Sequence, residues 1–307
     1  MAVALMDRPS MPDVLAEDLV SISGRRRTKN LAMTALMALS VIAVGFVLVL
    51  VLVTVVTKGW SIVAGSFPDW FTKDIQLSPR RPGPGMKAAI VGTCVITLTA
   101  TLIAVPLGIA GAIYLNEYGR NRLFARTLRF LANVMAGVPS IVMGLFIYVF
   151  WVVPRGIQGL NGFSGALALA CLMLPIVVRS SEEMLRLVPQ NLRDASSALG
   201  SSTSRTTMRV VLPSAAPGVI SGCLLAVARA AGETAPLLFT IGAAKATNWS
   251  VFGGTNTSLS MQIYGNAKES FVNAQQRAWG AALTLIALAF LFTVCARVLS
   301  ARLARTR

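Results

Sequence analysis

Two ionisable residues interrupt an otherwise apolar run in the second half of this 307-residue chain, Arg229 and Glu233 in the stretch ARAAGETAPLLFT. Four residues apart, they share one face of a helix. Counting about 1.5 Å per residue from Pro217, Arg229 lies roughly 18 Å along that helix and Glu233 roughly 24 Å. An arginine at mid-membrane depth costs at least about 2.5 kcal/mol, so it is expected to face a bundle interior and to have a partner. Two readings stand. In one, the pair neutralises itself and fixes helix packing. In the other, the guanidinium fork meets an oxyanion in transit, and Glu233 gates the site or keeps it from binding too tightly. Gly232 and Pro236 loosen the backbone around the pair, which suits the wall of a conduit, and a conduit must bind weakly enough to release.

The remaining side chains close off most other chemistry. The chain has no histidine, and Cys94, Cys171, Cys223 and Cys295 sit in or beside apolar runs without forming a CxxC pair. Small apolar packing residues are therefore expected, with no metal or haem site. An intramembrane enzyme needs a nucleophile with a base, a carboxylate pair or a metal. Glu233 is the one carboxylate within the apolar runs, so no catalytic residue is expected. No G-x-x-x-x-G-K-[ST] phosphate loop occurs either, so the chain itself should bind no nucleotide or other cofactor.

The elements that must position the pair are membrane helices. Hydrophobic residues make up 55% of the chain and charged ones 13%, with a mean hydropathy of +0.68, unlike a soluble domain. The net charge of +16 does not indicate nucleic-acid binding, because the basic residues lie outside the apolar runs and line no single soluble face. A bilayer core about 30 Å thick needs roughly 20 apolar residues in a helix. About six stretches meet or approach this: 31–56, 88–115, 130–153, 162–178, 214–244 and 278–296. The fourth is short and is expected to borrow residues from the segment after it. Residues 1–30 hold Asp7, Asp13, Glu17 and Asp18 without an apolar core, and so read as a polar arm, not a cleavable signal peptide. The expected fold is all-α, a polytopic membrane helical bundle spanning 31–307.

With the N-terminus inside, the inner segments carry eighteen basic residues and the outer ones nine, and Arg229 completes the 28. This bias places both termini in the cytoplasm, with Ser78 and Asn256 outside and Ser197 inside. Trp60, Trp70, Phe71, Trp151, Trp249 and Trp279 fall near predicted outer ends, as an aromatic belt would. The helices contain Pro106, Gly137, Pro139, Pro175 and Pro236, breakers tolerated where neighbours or a watery path satisfy the freed backbone. The run PRRPGPG (79–85) reads as a hinge before the second helix.

The segment 179–213 is too long for a structureless loop. Leu192, Ala195, Ser196 and Leu199 stand at i, i+3, i+4 and i+7, the stripe of a short helix. Gly200 is placed to end it in the left-handed conformation. Ser201, Ser202 or Thr203 can then cap a second helix running to Leu212, and Pro213 marks the start of the fifth span. Arg179, Glu182, Glu183 and Arg186 stand at helical spacings and are expected to pair on a solvated face, with contact to a partner as the alternative.

The spacing in this segment resembles the EAA loop of ABC importer permeases: Glu-Ala-Ala, three residues, Gly, nine residues, Ile, one residue, Leu-Pro. Asp194, Ala195 and Ser196, then Gly200, Val210, and Leu212 with Pro213, stand at the matching positions; Asp, Ser and Val replace the family's Glu, second Ala and Ile. Further stretches resemble the phosphate permeases of this class: VPLGIAGAIYLNEYG (105–119), AGVPSIVMGLF (136–146), LPIVVRSSEEMLRLVP (174–189), ARAAGETAPLLFT (228–240) and AWGAALTLI (278–286). The QQRAWGAAL run before the last span looks more like the PstA family than its partner family, PstC. The resemblance implies the type I ABC importer permease fold in a bacterial plasma (inner) membrane. It implies that the loop docks on a separate ATP-binding subunit dimer, which holds ATP and Mg, and that the path is shared with a second, PstC-like permease. It also implies an external phosphate-binding protein, with Arg229 and Glu233 lining the phosphate path. A permease for another oxyanion, or the PstC-type partner itself, is the alternative.

Overall fold

The structure, a computed structural model, describes residues 24–119 and 122–305; most of the expected polar arm lies outside them. Among the described residues only helices and irregular connections form. Six of the helical stretches are long and apolar enough to cross a membrane. The chain divides after Thr54 into two compact units.

Helix α1 spans Gly24–Gly65. The most apolar 18-residue stretch of its candidate span, Arg26–Gly65, has a mean hydropathy of 3.1 and is apolar on every face, the pattern of a helix surrounded by lipid or protein. Within the second unit, α2 is Asp69–Thr72, and α3 runs Lys87–Ile113 and continues as a π turn, Tyr114–Tyr118. Next come α4 (Leu123–Gly137), α5 (Ser140–Ile147, extended by wider and tighter turns to Gly159) and α6 (Gly162–Arg186). Helix α7 is Gln190–Ala198; α8, Thr203–Thr206, passes through a π turn at Thr207–Val211 into α9, Leu212–Gly232. Helices α10 (Leu237–Thr240), α11 (Leu259–Lys268) and α12 (Val272–Arg305) close the chain.

Two expected spans shift, and the fourth lengthens as anticipated. The third candidate span is Ser140–Gly159, not 130–153. Pro139 forces the residue before it out of the helical region, and Val138 (φ −72°, ψ 131°) is extended, so α4 and α5 separate there. The fourth does continue past 178, to Arg186. The fifth is Thr203–Gly232, not 214–244. It begins early because the π turn carries the helix straight through Pro213. It ends early because the ring of Pro236 would clash with the carbonyl of Gly232.

The core is made of small residues in close approach. Ala100, Ala104 and Ala112 of α3 meet Ala166, Ala170 and Val177 of α6, and Val219, Cys223 and Ala226 of α9 complete the cluster. A Cβ on Gly108 would lie 2.6 Å from Val177 Cγ1, and one on Gly218 would lie 2.3 Å from Met184 Sδ. Without a hydrophobic drive between helices in lipid, such closeness is what dispersion attraction requires. A second cluster surrounds Trp70, which is fully buried and so no belt residue. Its ring lies over Gly280, and its Nε1 donates to Thr284 Oγ1 at 3.0 Å. Trp60 and Trp249 remain exposed.

Gly108→Leu should therefore force α3 from α6 and cost about 1–3 kcal/mol or more by overpacking. Gly265→Ala, with open space at its Cβ, should be near neutral. Unfolding midpoints of the two variants in detergent provide the measurement.

Candidate functional site

Arg229 lies in the last turn of α9, and Glu233 just past its end, with φ −71° and ψ 132°. The expectation that both stand on one continuous helix is corrected: the helix stops at Gly232 for the reason given above. The pair survives nonetheless, with Arg229 Nε 3.5 Å from Glu233 Oε1. That distance exceeds the roughly 2.7–2.9 Å of a charge-assisted hydrogen bond. Most of the guanidinium's hydrogen-bonding capacity is therefore not spent on Glu233. The Arg229 side chain is 68% exposed and that of Glu233 20%. Within this chain Arg229 faces outward, contrary to an interior position in its own bundle.

The break after Gly232 is held on two sides. The Glu233 carbonyl accepts from Ser260 Oγ at 3.0 Å, and the Thr234 carbonyl from the amides of Leu237 and Leu238. On α5, a Cβ on Gly144 would lie 2.4 Å from Pro236 Cα, so the corner carrying Glu233 is pressed directly onto that helix. Thr240 Oγ1 donates to the Pro236 carbonyl at 2.9 Å. The irregular segment after α10 leads into α11, whose first amide, Leu259 N, donates to Thr93 Oγ1 of α3 at 2.8 Å. Asn256 there is buried, not accessible.

The second set of expected site residues lies on the loop between α6 and α9. Asp194 and Ala195 are exposed on α7, and Asp194 accepts from Gln190 Nε2 at 3.0 Å. Gly200 has φ +78°. The amide of Gly200 donates to Ser197 O and that of Ser201 to Ser196 O, the paired bonds of a glycine-terminated helix. Ser202 then caps α8, its Oγ accepting from the amide of Arg205. Ser196 Oγ and Thr206 Oγ1, 2.8 Å apart, tie α7 to α8. Val210, Leu212 and Pro213 are half-buried at the base, while Val211 between them is fully buried in the main core.

Sequence reasoning missed the residues that hold α7 in place. Arg193 Nη1 donates to Val188 O at 2.6 Å, and its Nη2 donates to Leu185 O and Glu117 Oε1, each at 3.0 Å. One guanidinium thus joins α7 to the ends of both α6 and α3. Both partners are largely buried, 14% and 8% exposed. Glu182, expected on a solvated face, is buried instead, accepting from Arg129 Nε at 2.7 Å and Arg186 Nη2 at 2.6 Å. Arg129 also donates to Leu115 O. Helical spacing could reveal the Glu182–Arg186 half of this cluster. The Arg129 and Glu117 pairings join residues far apart in the chain, and no local pattern announces them.

The profile described as "Binding-protein-dependent transport system inner membrane component" matches residues 104–305. "Phosphate transport system permease protein PstA 1" of Mycobacterium tuberculosis is 42% identical over 287 residues, covering 93% of this chain and 91% of the relative. "Phosphate transport system permease protein PstA" of Mycobacterium leprae is 43% identical over 284 residues, with 92% and 91% covered. That of Haemophilus influenzae is 40% identical over 273 residues, with 89% and 93% covered. Among solved structures, a chain of the MetNI methionine ABC transporter in an inward-facing conformation superposes with a TM-score of 0.54 at 19% identity, over 70% of this chain and 93% of that one; the likeness is one of fold. The chain is thus a multi-pass membrane protein that belongs to the binding-protein-dependent transport system inner membrane component family and, within it, to the PstA permeases.

Proposed function

We propose that this chain is the permease subunit of an ATP-driven importer of inorganic phosphate, lining the translocation path together with a second, PstC-like permease. The observation that carries this reading is Arg229: a guanidinium within a candidate membrane span, mostly exposed on its own chain and only loosely paired with Glu233. A charged side chain has no stable place against lipid. An outward-facing arginine therefore calls for a polar surface opposite it, which a path shared between two permeases supplies. The phosphate relatives named above support phosphate over other oxyanions and the PstA type over the PstC type.

In this reading Arg229 offers its fork to the oxyanion, and Glu233 weakens the hold enough for release. ATP and Mg belong to a separate ATP-binding dimer, and an external phosphate-binding protein delivers the substrate. The coupling element is the segment with Asp194, Ala195, Ser196, Gly200, Val210, Leu212 and Pro213. Helix α7 presents Asp194 and Ala195 outward to the ATPase, with Leu199, 87% exposed, at its end. Both termini face the cytoplasm.

Arg229→Gln should slow uptake of labelled phosphate more than about tenfold while the complex still assembles, because a neutral amide has neither the charge nor the fork. The double variant with Glu233→Gln distinguishes the two readings of the pair. A packing pair should tolerate joint neutralisation, whereas near-normal uptake in the double variant would refute the transport role.

The coupling role predicts that Gly200→Val, which places a branched side chain at φ +78°, uncouples ATP hydrolysis from uptake. Arg193→Gln should do the same more severely, since truncating one member of a buried ion pair costs about 3–5 kcal/mol. The ratio of phosphate transported to ATP hydrolysed in proteoliposomes is the readout, and an unchanged ratio in both variants would remove the loop from the mechanism.

For topology, cysteines at Leu77 and Ala246, both exposed, should react with an impermeant maleimide from outside intact cells in a cysteine-free background. One at Ser197 should not. Asn256, although on the same side, is too buried to serve as a probe. The reverse labelling pattern would overturn the orientation.

A further inference from the structure

Arg277, near the start of α12, is only 4% exposed, yet no carboxylate pairs with it among the described residues. Its Nη1 donates to Arg81 O at 2.9 Å and its Nη2 to Pro79 O at 3.1 Å. These bonds pin the proline-rich turn expected to be a hinge, and Asn273 Nδ2 adds a third at Arg80 O, 2.7 Å. A guanidinium has five N–H groups, so two bonds leave most of them unused, and the buried Nε–H has no acceptor at all. Two neutral carbonyls orient the group but do not cancel its charge, and a buried charge is strongly destabilised without a counter-charge.

Beside it lies a cleft whose wall includes Arg277, Asn273, Gln276, Ser61, Ser66 and Gly83. An adjoining recess shares Ser61 and Gln276 and adds Lys58. Neither is lined by an acidic residue. Lys58 Nζ lies 4.9 Å from the centre of the Trp279 ring, and Arg80 the same distance from that of Phe271. Arg277 and Lys58, with the small polar side chains between them, give this wall a positive character, and an anion seated there supplies the counter-charge that Arg277 lacks. Phosphate oxygens suit the fork of arginine better than a single-point anion such as chloride.

We propose that this cleft is a second oxyanion site, distinct from Arg229, that binds a phosphate group. The group is either free inorganic phosphate or the headgroup of an anionic phospholipid. The inference rests on no part of the transport role proposed above, since it needs only the buried, uncompensated guanidinium and the cleft beside it.

The test uses the purified full chain in a phosphate-free detergent, following the thermal unfolding midpoint. Inorganic phosphate and, separately, short-chain phosphatidylglycerol are titrated against matched chloride. A saturable rise with either is expected, and which one acts identifies the source. Gln276→Glu puts a carboxylate in the cleft and leaves the turn's clamp intact; it should weaken half-saturation at least about tenfold. Arg277→Gln should abolish the response, and Arg229→Gln should retain it, which separates this site from the proposed path. No saturable rise in the unmodified chain, or a response in Gln276→Glu equal to it, would overturn the proposal.

Discussion

Inside a bilayer no water is available to take the hydrogen bonds that a broken helix releases, so every interruption must be repaid by a neighbour. This constraint governs the region around Glu233. Pro236 ends α9 at Gly232, and the freed groups find partners on α10 and α11, with Ser260 reaching the Glu233 carbonyl. The corner can lie that close to α5 because Gly144 carries no Cβ against Pro236. The ion pair of Arg229 with Glu233 is therefore set by a backbone break whose support comes from three other elements.

Tight packing of small residues extends the same logic through the bundle. Glycines at 108, 165, 218 and 222 leave no room for a Cβ beside Val177, Ile241, Met184 and Ser180. These close approaches join α3, α9 and α10 to α6, which sits at the centre of the main core. Movement of α6 is then hard to separate from movement of its neighbours, because packed interiors transmit displacement instead of absorbing it. At one end of α6, Arg193 and Glu182 attach α7 and α4 to the same body through buried, charge-assisted bonds. These bonds link α7 to α3 and α6 together, which is what the proposed coupling role requires.

The polar groups divide into two kinds by how their charge is met. Glu117 and Glu182 are buried with close arginine partners that cancel their charge, so they stabilise geometry. Arg229 and Arg277 are the contrasting cases, one exposed with a loose partner and the other buried with carbonyls only. A guanidinium whose charge is not cancelled by its own chain is where an external anion gains most.

Much of this protein is legible in the chain itself, since periodicity, hydropathy and turn chemistry are local. Six apolar stretches specify an all-helical membrane bundle because no other backbone satisfies itself in lipid at that length. Gly200 announces its left-handed turn because few other residues adopt φ +78° at low cost. The motif spacing at 194–213 and the block around Arg229 point to the family for the same reason. Only tertiary structure decided the rest. Trp70 reads as an interfacial aromatic until Gly280 and Thr284 are seen to enclose it. Glu182 reads as a surface charge until Arg129, 53 residues away, is found on it. Arg193 and Glu117, 76 apart, and Arg277 with its turn, nearly 200 residues distant, meet only after the helices pack. Such pairings depend on which faces of distant helices come together, and that is a property of the assembled bundle, absent from any local stretch of sequence.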